Sequence, residues 1–445
     1  MKRYDSYKDS GVEWIGEIPG HWIKKKLGYS IDTIVPMRDK PTSLKGEIPW
    51  IRIEDYDGKY IYGSKSNQGV TQGLIDEMNL KVYPINTVLT TCSCSFGTSM
   101  IVKEPMTSNQ TFIGLFPNKN DLNEEYLYYQ LHIWEVELDK MSSGSIQKYL
   151  SRDNFKSLRF LFPPINEQQQ IVSFLDSKTC QIDELIQKKE RKIELLKEYR
   201  TSLINQVVTK GLNPNVEMKD SGVEWIGEIP KDWLRTKLHF LKSLGEIEYQ
   251  DGNHGSVHPK SEDFTEGGIP FLRPTDVFQN YISKEKLKYI PEDFVERLRI
   301  GFAKKGDLIF VNRGNIGVTT ILTEFDQCDI VIINPQLTYI RSKEEIILIK
   351  YLFFQSQSKV FQTNRDLKLG NGSVLNFLGL GDLGDYEVVL PPLSEQKQIV
   401  DYLDEQTQKI DSSIQTEERK IELLKEYRQS LISSVVTGKI DVRTN

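Results

Sequence analysis

The chain has 445 residues, 38% of them hydrophobic and 27% charged, with a formal net charge of −6. No apolar run reaches the ~18 residues of a membrane span, and the opening MKRYDSYKDSGVEW lacks the apolar core of a signal peptide. The acidic balance argues against non-specific coating of nucleic acid, while four scattered cysteines (Cys92, Cys94, Cys180, Cys328) fit a reducing cytoplasm better than a disulfide framework.

In chain order, Lys8–Pro19 reads KDSGVEWIGEIP, and Lys219–Pro230 repeats it unchanged. GEIPWIRIED (46–55) is matched by GGIPFLRPTD (267–276), and CSCSFG (92–97) falls opposite NRGNIG (312–317). GSIQKYL (144–150) matches GSVLNFL (372–378), and Pro163-Pro164 matches Pro391-Pro392. Finally ERKIELLKEYR occurs at 190–200 and again at 418–428. The shift grows from 211 to 228 along the repeat, so the second copy carries 17 extra residues. The order predicts a globule over 1–164, a helix over 165–211, a second globule over 212–392, and a helix with a C-terminal tail over 393–445.

Within the globules, β-branched and aromatic runs predict strands at Ile48–Ile53, Val88–Thr91, Leu158–Phe162, Leu308–Val311, Ile330–Ile333 and Tyr386–Leu390. Glu124–Leu131 and Ile346–Gln355 read as short helices, giving a mixed α/β character. Both long helices follow Pro-Pro, with Asn166 or Ser394 as the expected N-cap and Glu167 or Glu395 in the first turn. Gly211 and Gly438 lie near their far ends. A heptad seam runs through Leu175, Ile182, Ile186, Ile193, Leu196 and Leu203 in the first helix. Its counterpart holds Leu403, Ile410, Ile414, Ile421, Leu424 and Leu431. One such seam could pack on its own globule; two alike pack more simply on each other. Lys189 and Glu417 share one d position, and an antiparallel pair centred there would bring opposite charges together. The fold class expected is α+β: two mixed globules, a helix pair and an internal pseudo-twofold repeat.

Several motifs read as ordinary structure. GLGDLG (Gly379, Gly381, Gly384) has dinucleotide-fingerprint spacing, but a strand-like run follows it where the fingerprint needs a helix. Asn334-Pro335-Gln336-Leu337 lacks the second proline and aromatic of a methyltransferase motif, and reads as a turn entering a strand. Cys92-x-Cys94 has no second ligand pair, and His254 and His258 have no third ligand, so no metal site is expected. Trp14 and Trp225, in the identical segments, read as core anchors ahead of docking contacts. No Walker loop, nucleophile elbow or nuclease carboxylate cluster is found, so no catalytic residue is assigned.

The divergent regions hold side chains suited to base edges and phosphates. In the first copy these are Arg38, Lys40, Arg52, Lys65, Asn67, Gln68, Ser95, Thr98, Asn109, Gln110, Lys148 and Arg152. In the second they are Lys260, Arg273, Arg313, Asn315, Asn334, Gln336, Arg365, Lys368, Asn371 and Asn376, with Arg313 favoured for its glycine-flanked turn.

GVEWIGEIPxxW, GxIPxxRxxD, PPxxEQxxIVxxLD and KIELLKEYRxSLI, each present twice in the same order, resemble the DNA-specificity subunit of type I restriction-modification systems. The resemblance covers nearly the whole chain. It implies two target-recognition domains, each reading half of a split DNA target, and two helices packed antiparallel to set the gap. It implies two methyltransferase subunits and restriction subunits as partners. It places S-adenosylmethionine, ATP and Mg2+ chemistry on those partners rather than on this chain. CSCSFG departs from the basic turn NRGNIG, so the first half-site is expected to be read differently, through Ser95 or Thr98. The alternatives are a free-standing two-domain DNA-binding regulator, which would bind tightly alone, and a coiled-coil scaffold, which would show no salt-sensitive DNA binding.

Overall fold

The computed structural model describes residues 2–36, 40–93, 96–142, 148–325, 328–370 and 377–443. The chain divides into two compact units, each drawing on both long helices. Unit 1 comprises Met1–Lys189 with Arg419–Asn445, and unit 2 comprises Glu190–Glu418.

Unit 1 contains a five-stranded sheet in the order Ile31–Ile34, Phe112–Pro117, Val88–Thr91, Ser99–Val102, Tyr60–Ile61. Its pairs are antiparallel except the last. Beside it, Ile48–Ile51 lies between Thr107–Ser108 and Gly69–Val70. Leu89, Met100, Val102, Met106, Phe112, Tyr83 and Ile51 close over one core. Trp50, Val70, Ile75 and Leu80 form a second. The strand expected over Ile48–Ile53 ends at Ile51, because Asp55 accepts the Arg52 backbone N–H at 2.8 Å and turns the chain into a 3-10 helix, Ile53–Asp55. Unit 2 has two four-stranded sheets. One runs Ile247–Asp251, Leu337–Ser342, Leu308–Val311, Thr319–Ile321, antiparallel throughout. The other runs Lys288–Ile290, Ile269–Leu272, Ile330–Ile333, Phe302–Lys304. Leu272, Ile309, Val311, Val331, Ile333 and Tyr339 are among the residues of the main core there.

The ends of each domain are closed by one device, built twice. A strand following a tryptophan pairs antiparallel with the strand preceding Pro-Pro, so that Ile23 faces Phe162 and Leu234 faces Leu390. This register carries the tryptophan to the start of the long helix. Trp22 Nε1 donates to Glu167 at 2.9 Å, and Trp233 Nε1 donates to Glu395 at 2.9 Å. Both indoles are fully buried. Beside them Gln168 donates to the Pro163 carbonyl and accepts from Asn123 N–H, while Gln396 donates to Pro391 and accepts from Leu348 N–H. Each glutamine satisfies backbone groups that burial would otherwise leave orphaned.

The helices run Ile165–Lys210 and Leu393–Val436. Each starts one residue before the expected cap: Pro164 and Pro392 already accept the first intrahelical bonds, so Asn166 and Ser394 lie inside the first turn. Gly211 and Gly438, both at φ +75°, take the left-handed turn past the far ends. The helices pack antiparallel in both units. In unit 1, Glu167 and Gly438 both meet Trp22, and further along Arg428 pairs with Asp183 at 2.9 Å. In unit 2, Glu417 pairs with Lys192 at 3.0 Å and Asp411 with Arg200 at 3.0 Å. There too, a Cβ at Gly211 would lie 3.0 Å from Glu395. Arg428–Asp183 in unit 1 and Arg200–Asp411 in unit 2 are the same pair of repeat positions with the helices exchanged. Leu175, Ile182, Ile186, Ile193 and Leu203 are buried, as are Leu403, Ile410, Ile414, Ile421 and Leu431; Leu196 and Leu424 are half-buried. Thr179 and Thr407 sit in the seam with their hydroxyls returned to the carbonyls of Leu175 and Leu403.

Trp14 and Trp225 differ despite identical flanks. Trp14 packs edge-on against Trp134 at 5.3 Å, whereas Trp225 is 39% exposed, so the core expectation fails for the second. Trp134 supplies the ring in unit 1; no ring meets Trp225 among the described residues. Gly379–Gly384 forms a short helix, Leu380–Gly384, leading into the strand Glu387–Leu390, which no dinucleotide loop does.

Candidate nucleic-acid interface

In unit 1 the polar candidates gather around two adjoining cavities. One, of about 310 Å3, is lined by Lys40, Leu44, Trp50, Arg52, Gln68, Asn109, Gln110 and Thr111. The other, of about 360 Å3, is lined by Val35, Pro36, Cys92, Ser93, Gln110, Phe112, Ile113 and Tyr149. Gln110 stands on both walls. The strand Ile48–Ile51 brings Trp50 and Arg52 to this cleft, and its antiparallel partner Gly69–Val70 brings Gln68. Asn109 is fixed by an Asx turn, its side-chain oxygen accepting from Thr111 N–H at 3.2 Å. Two polar atoms of the lining are buried without a hydrogen-bond partner: Arg52 Nε and Gln68 Oε1. Glu54, the carboxylate paired with Arg52, stands 3.6 Å away and is itself well exposed.

The remaining first-copy candidates lie elsewhere. Lys65 donates to the Tyr56 carbonyl at 3.0 Å and neighbours Asp57. Asn67 takes a left-handed turn at φ +52° and is exposed. Lys148 is held by both oxygens of Asp139 at 2.8 Å. Arg152 opens a short helix, 3.7 Å from Asp153. Thr98 is half-buried, and its carbonyl accepts from Thr91 N–H. Arg38 and Ser95 lie outside the described residues, as does Cys94. Cys92 is buried, its thiol donating to the Gln110 and Thr111 carbonyls.

In unit 2 the exposed candidates gather on the turn Asn312–Gly317. Gly314 and Gly317 at φ +85° and +89° permit the tight reversal. Arg313 and Asn315 are exposed. Arg365 supports this turn from beneath, donating to the Ile316 carbonyl at 3.4 Å and to Asp366 at 2.8 Å. Lys368 is taken by Asp385 at 2.5 Å. Asn334 caps its own turn by accepting Gln336 N–H at 2.9 Å, and the Gln336 carbonyl accepts Asn312 N–H at 2.8 Å. Lys260 starts a 3-10 helix with its backbone N–H on Asp263. Arg273 is engaged through two of its three side-chain nitrogens: Nε and Nη2 meet Asp276 at 2.9 and 2.7 Å, and Nη2 also meets the Lys286 carbonyl at 2.7 Å. The hydrogen bonds to Asp276 raise its pKa above the ordinary arginine value. Asn371 and Asn376 lie outside the described residues. His254 Nε2 donates to the Asp251 carboxylate at 2.8 Å, and burial lowers the His258 pKa. Among the described residues no three metal-ligating side chains converge.

The sequence reading missed the tryptophan–glutamate locks and the glutamine brackets. Their signal was present, since Trp, Glu and Gln recur in both copies at matching places. It also left out Trp50, Thr111 and Tyr149, which line the cleft through topology alone.

The family model described as the type I restriction modification DNA specificity domain matches residues 36–195 and again 232–425. The chain belongs to this family. It is 26% identical to the type I restriction enzyme MjaIX specificity subunit of Methanocaldococcus jannaschii over 446 aligned residues, covering 96% of this chain and 95% of the relative. It is 30% identical to the EcoR124I/EcoR124II specificity subunit of Escherichia coli over 200 residues, covering 43% and 46% of the two chains. A chain solved in work on complex assembly and conformational transition of the type I R-M system superposes with a TM-score of 0.71 at 16% identity, covering 95% of this chain and 99% of that one. The HsdS subunit of Thermoanaerobacter tengcongensis gives a TM-score of 0.52 at 15% identity, with 97% and 100% covered. Those two likenesses are of fold. Among the described residues no helix is long and apolar enough to cross a membrane.

Proposed function

We propose that this chain reads a bipartite DNA target, one half-site per unit, and recruits the same methyltransferase subunit twice. The observation that carries this is the contrast between what the units share and what they do not. The outer helix faces are the same: Leu195 and Tyr199 in unit 2 are 48% and 56% exposed, and Leu423 and Tyr427 in unit 1 are each 47% exposed. All four fall in the repeated ERKIELLKEYR segment. An exposed apolar pair kept residue for residue in two places fits two copies of one partner. The faces that carry the polar candidates differ: a cleft around Arg52 and Gln68 in unit 1, an exposed Arg313–Asn315 turn in unit 2. Different faces suit different half-sites.

On this reading the chain is the non-catalytic member of a cytoplasmic complex. Base methylation with S-adenosylmethionine, and ATP- and Mg2+-dependent translocation and cleavage, belong to methyltransferase and restriction partners. Their basic surfaces would supply much of the phosphate clamp that a net charge of −6 cannot. The test is methylation mapping of host DNA in cells with and without this chain, the partner subunits being expressed throughout. Loss of a two-part methylated motif on deletion is expected. An unchanged methylome would sink the reading, as would tight, sequence-specific binding by the chain alone. Replacing residues 220–390 by another such domain should change one half of the motif only.

A further inference from the structure

We propose that the two units read DNA from non-equivalent positions, and that the first half-site is specified at the cleft by Arg52 and Gln68 acting together on one G·C pair. This rests on the bipartite reading above.

Arg52 and Arg273 occupy matching places in GEIPWIRIED and GGIPFLRPTD, and each precedes a 3-10 helix with an aspartate at its third residue. Their guanidinium groups nevertheless do different things. In unit 2, Asp276 takes the Arg273 side chain through two nitrogens and the Lys286 carbonyl takes it again, so only the two Nη1 donors of its five remain. In unit 1, Asp55 is claimed by other donors: Lys65 N–H at 2.7 Å, Ser64 hydroxyl at 3.2 Å and Arg52 N–H at 2.8 Å. The loop bearing Ser64 and Lys65 therefore takes the Asp55 carboxylate, and the Arg52 guanidinium faces the cleft with the exposed Glu54 3.6 Å from its Nε. Arg52 Nε is a buried donor without an acceptor, and Gln68 Oε1, on the same lining, is a buried acceptor without a donor. Buried polar atoms in this state are costly, and a ligand that offers the complementary groups is one way to complete them.

The major-groove edge of a G·C pair offers both complements. Guanine presents O6 and N7 as acceptors, which suit Arg52, and cytosine presents an N4 amino donor, which suits Gln68. An A·T pair breaks this pattern, because its purine presents one acceptor, N7, and one donor, N6, and its pyrimidine an acceptor. In unit 2, the exposed reading arginine is Arg313 instead.

The test uses the chain with its methyltransferase partner, purified as a complex, and competitor duplexes substituted one base pair at a time. The relevant half-site is the one that survives replacement of residues 220–390. Arg52→Lys, which keeps charge but loses the planar fork, and Gln68→Leu should each relax discrimination on the order of 10- to 100-fold at one and the same base pair. Gln68→Glu, which keeps the acceptor, should retain most of it, and the other half-site should stay strict in all three. Unchanged profiles in both Arg52→Lys and Gln68→Leu would overturn the proposal. So would a uniform loss of affinity at every position, which would make Arg52 a phosphate contact or a brace. Absence of any two-part preference in the unaltered complex would instead sink the bipartite reading itself.

Discussion

Arg273→Ala separates a brace from a reader. The substitution strips two charge-assisted bonds from Asp276, whose side chain is 5% exposed, and one from the Lys286 carbonyl. Breaking a buried ion pair by removing one partner costs about 3–5 kcal/mol. Arg273 is itself 29% exposed, so water screens part of that loss, and Asp276 keeps the Arg273 backbone N–H at 2.9 Å. The net expectation is about 2–3 kcal/mol, felt locally where Ile269–Leu272 turns into the hairpin of Val277–Phe278 and Tyr281–Ile282. Amide hydrogen exchange of the intact complex should report it as roughly 30- to 150-fold faster opening of residues 269–290, with distant strands unchanged. In a double-mutant cycle, Asp276→Asn should recover much of the penalty, because the carboxylate charge left unpaired is then gone. The DNA motif should stay the same in both halves. Unaltered exchange together with a changed second half-site would refute the argument and return Arg273 to base reading.

Other consequences can be checked separately. Gly438→Ala should cost more than Gly211→Ala: both forfeit the ease of a positive φ, about 1 kcal/mol, but a Cβ at 438 would meet Pro19 Cδ at 2.3 Å whereas one at 211 meets Glu395 Oε1 at 3.0 Å and the Trp233 ring at 3.2 Å. Equal losses in thermal unfolding would contradict this. Arg200→Ala should destabilise by about 1–2 kcal/mol and Arg428→Ala by about 0.5–1 kcal/mol, since Arg200 is the less exposed and also holds Gln357 at 2.8 Å; the reverse order in exchange of the two helices would count against the packing described. Burial, aided by the Arg428 charge, lowers the His132 pKa below its ordinary 6.5. The unfolded state then binds the proton first, so the stability this group contributes is complete above pH 6.5 and is lost as pH falls below it. His132→Gln should flatten that acid-side loss in unit 1 unfolding, and an unchanged pH profile would show the group to be irrelevant.

Much of the fold was legible because repetition tested each pattern twice. Heptads in both copies pointed to helices, and the strands Val88–Thr91, Leu308–Val311 and Ile330–Ile333 stand where apolar β-branched runs put them. Phe112–Pro117 escaped notice, since glycine and proline interrupt its apolar pattern although it is paired on both edges within its sheet. Glu167 and Glu395 looked like dipole partners, yet each also accepts a buried indole N–H from a residue some 145–162 positions earlier. Pairing at that separation leaves no local trace. The candidate site was legible as residue types and not as geometry. Arg52 and Arg273 look interchangeable in sequence, and only the path of the loop through Ser64 and Lys65 decides which guanidinium is committed.

The division into units gives chain order a physical consequence. Unit 1 is completed by residues that follow unit 2 in sequence: Tyr126 donates to the Val436 carbonyl, Asp441 N–H donates to the Lys2 carbonyl at 2.9 Å, and Arg443 lies 4.7 Å over the Tyr4 ring. Unit 2 makes the equivalent closure internally, Tyr351 donating to the Val208 carbonyl at 3.2 Å. Removing residues 437–443 should therefore weaken unit 1, remote in sequence, and spare unit 2, which precedes the cut. Loss of the Asp441 and Arg443 anchors, about 1 kcal/mol each, together with the buried Gly438 turn, makes this about 2–3 kcal/mol. Exchange in Tyr7–Asp9 and Glu17–Pro19 should rise steeply while the strands Leu234–Lys237 and Glu387–Leu390 hold. Equal weakening of both units would mean that closure of the helix pair, rather than local docking of the tail, sets stability.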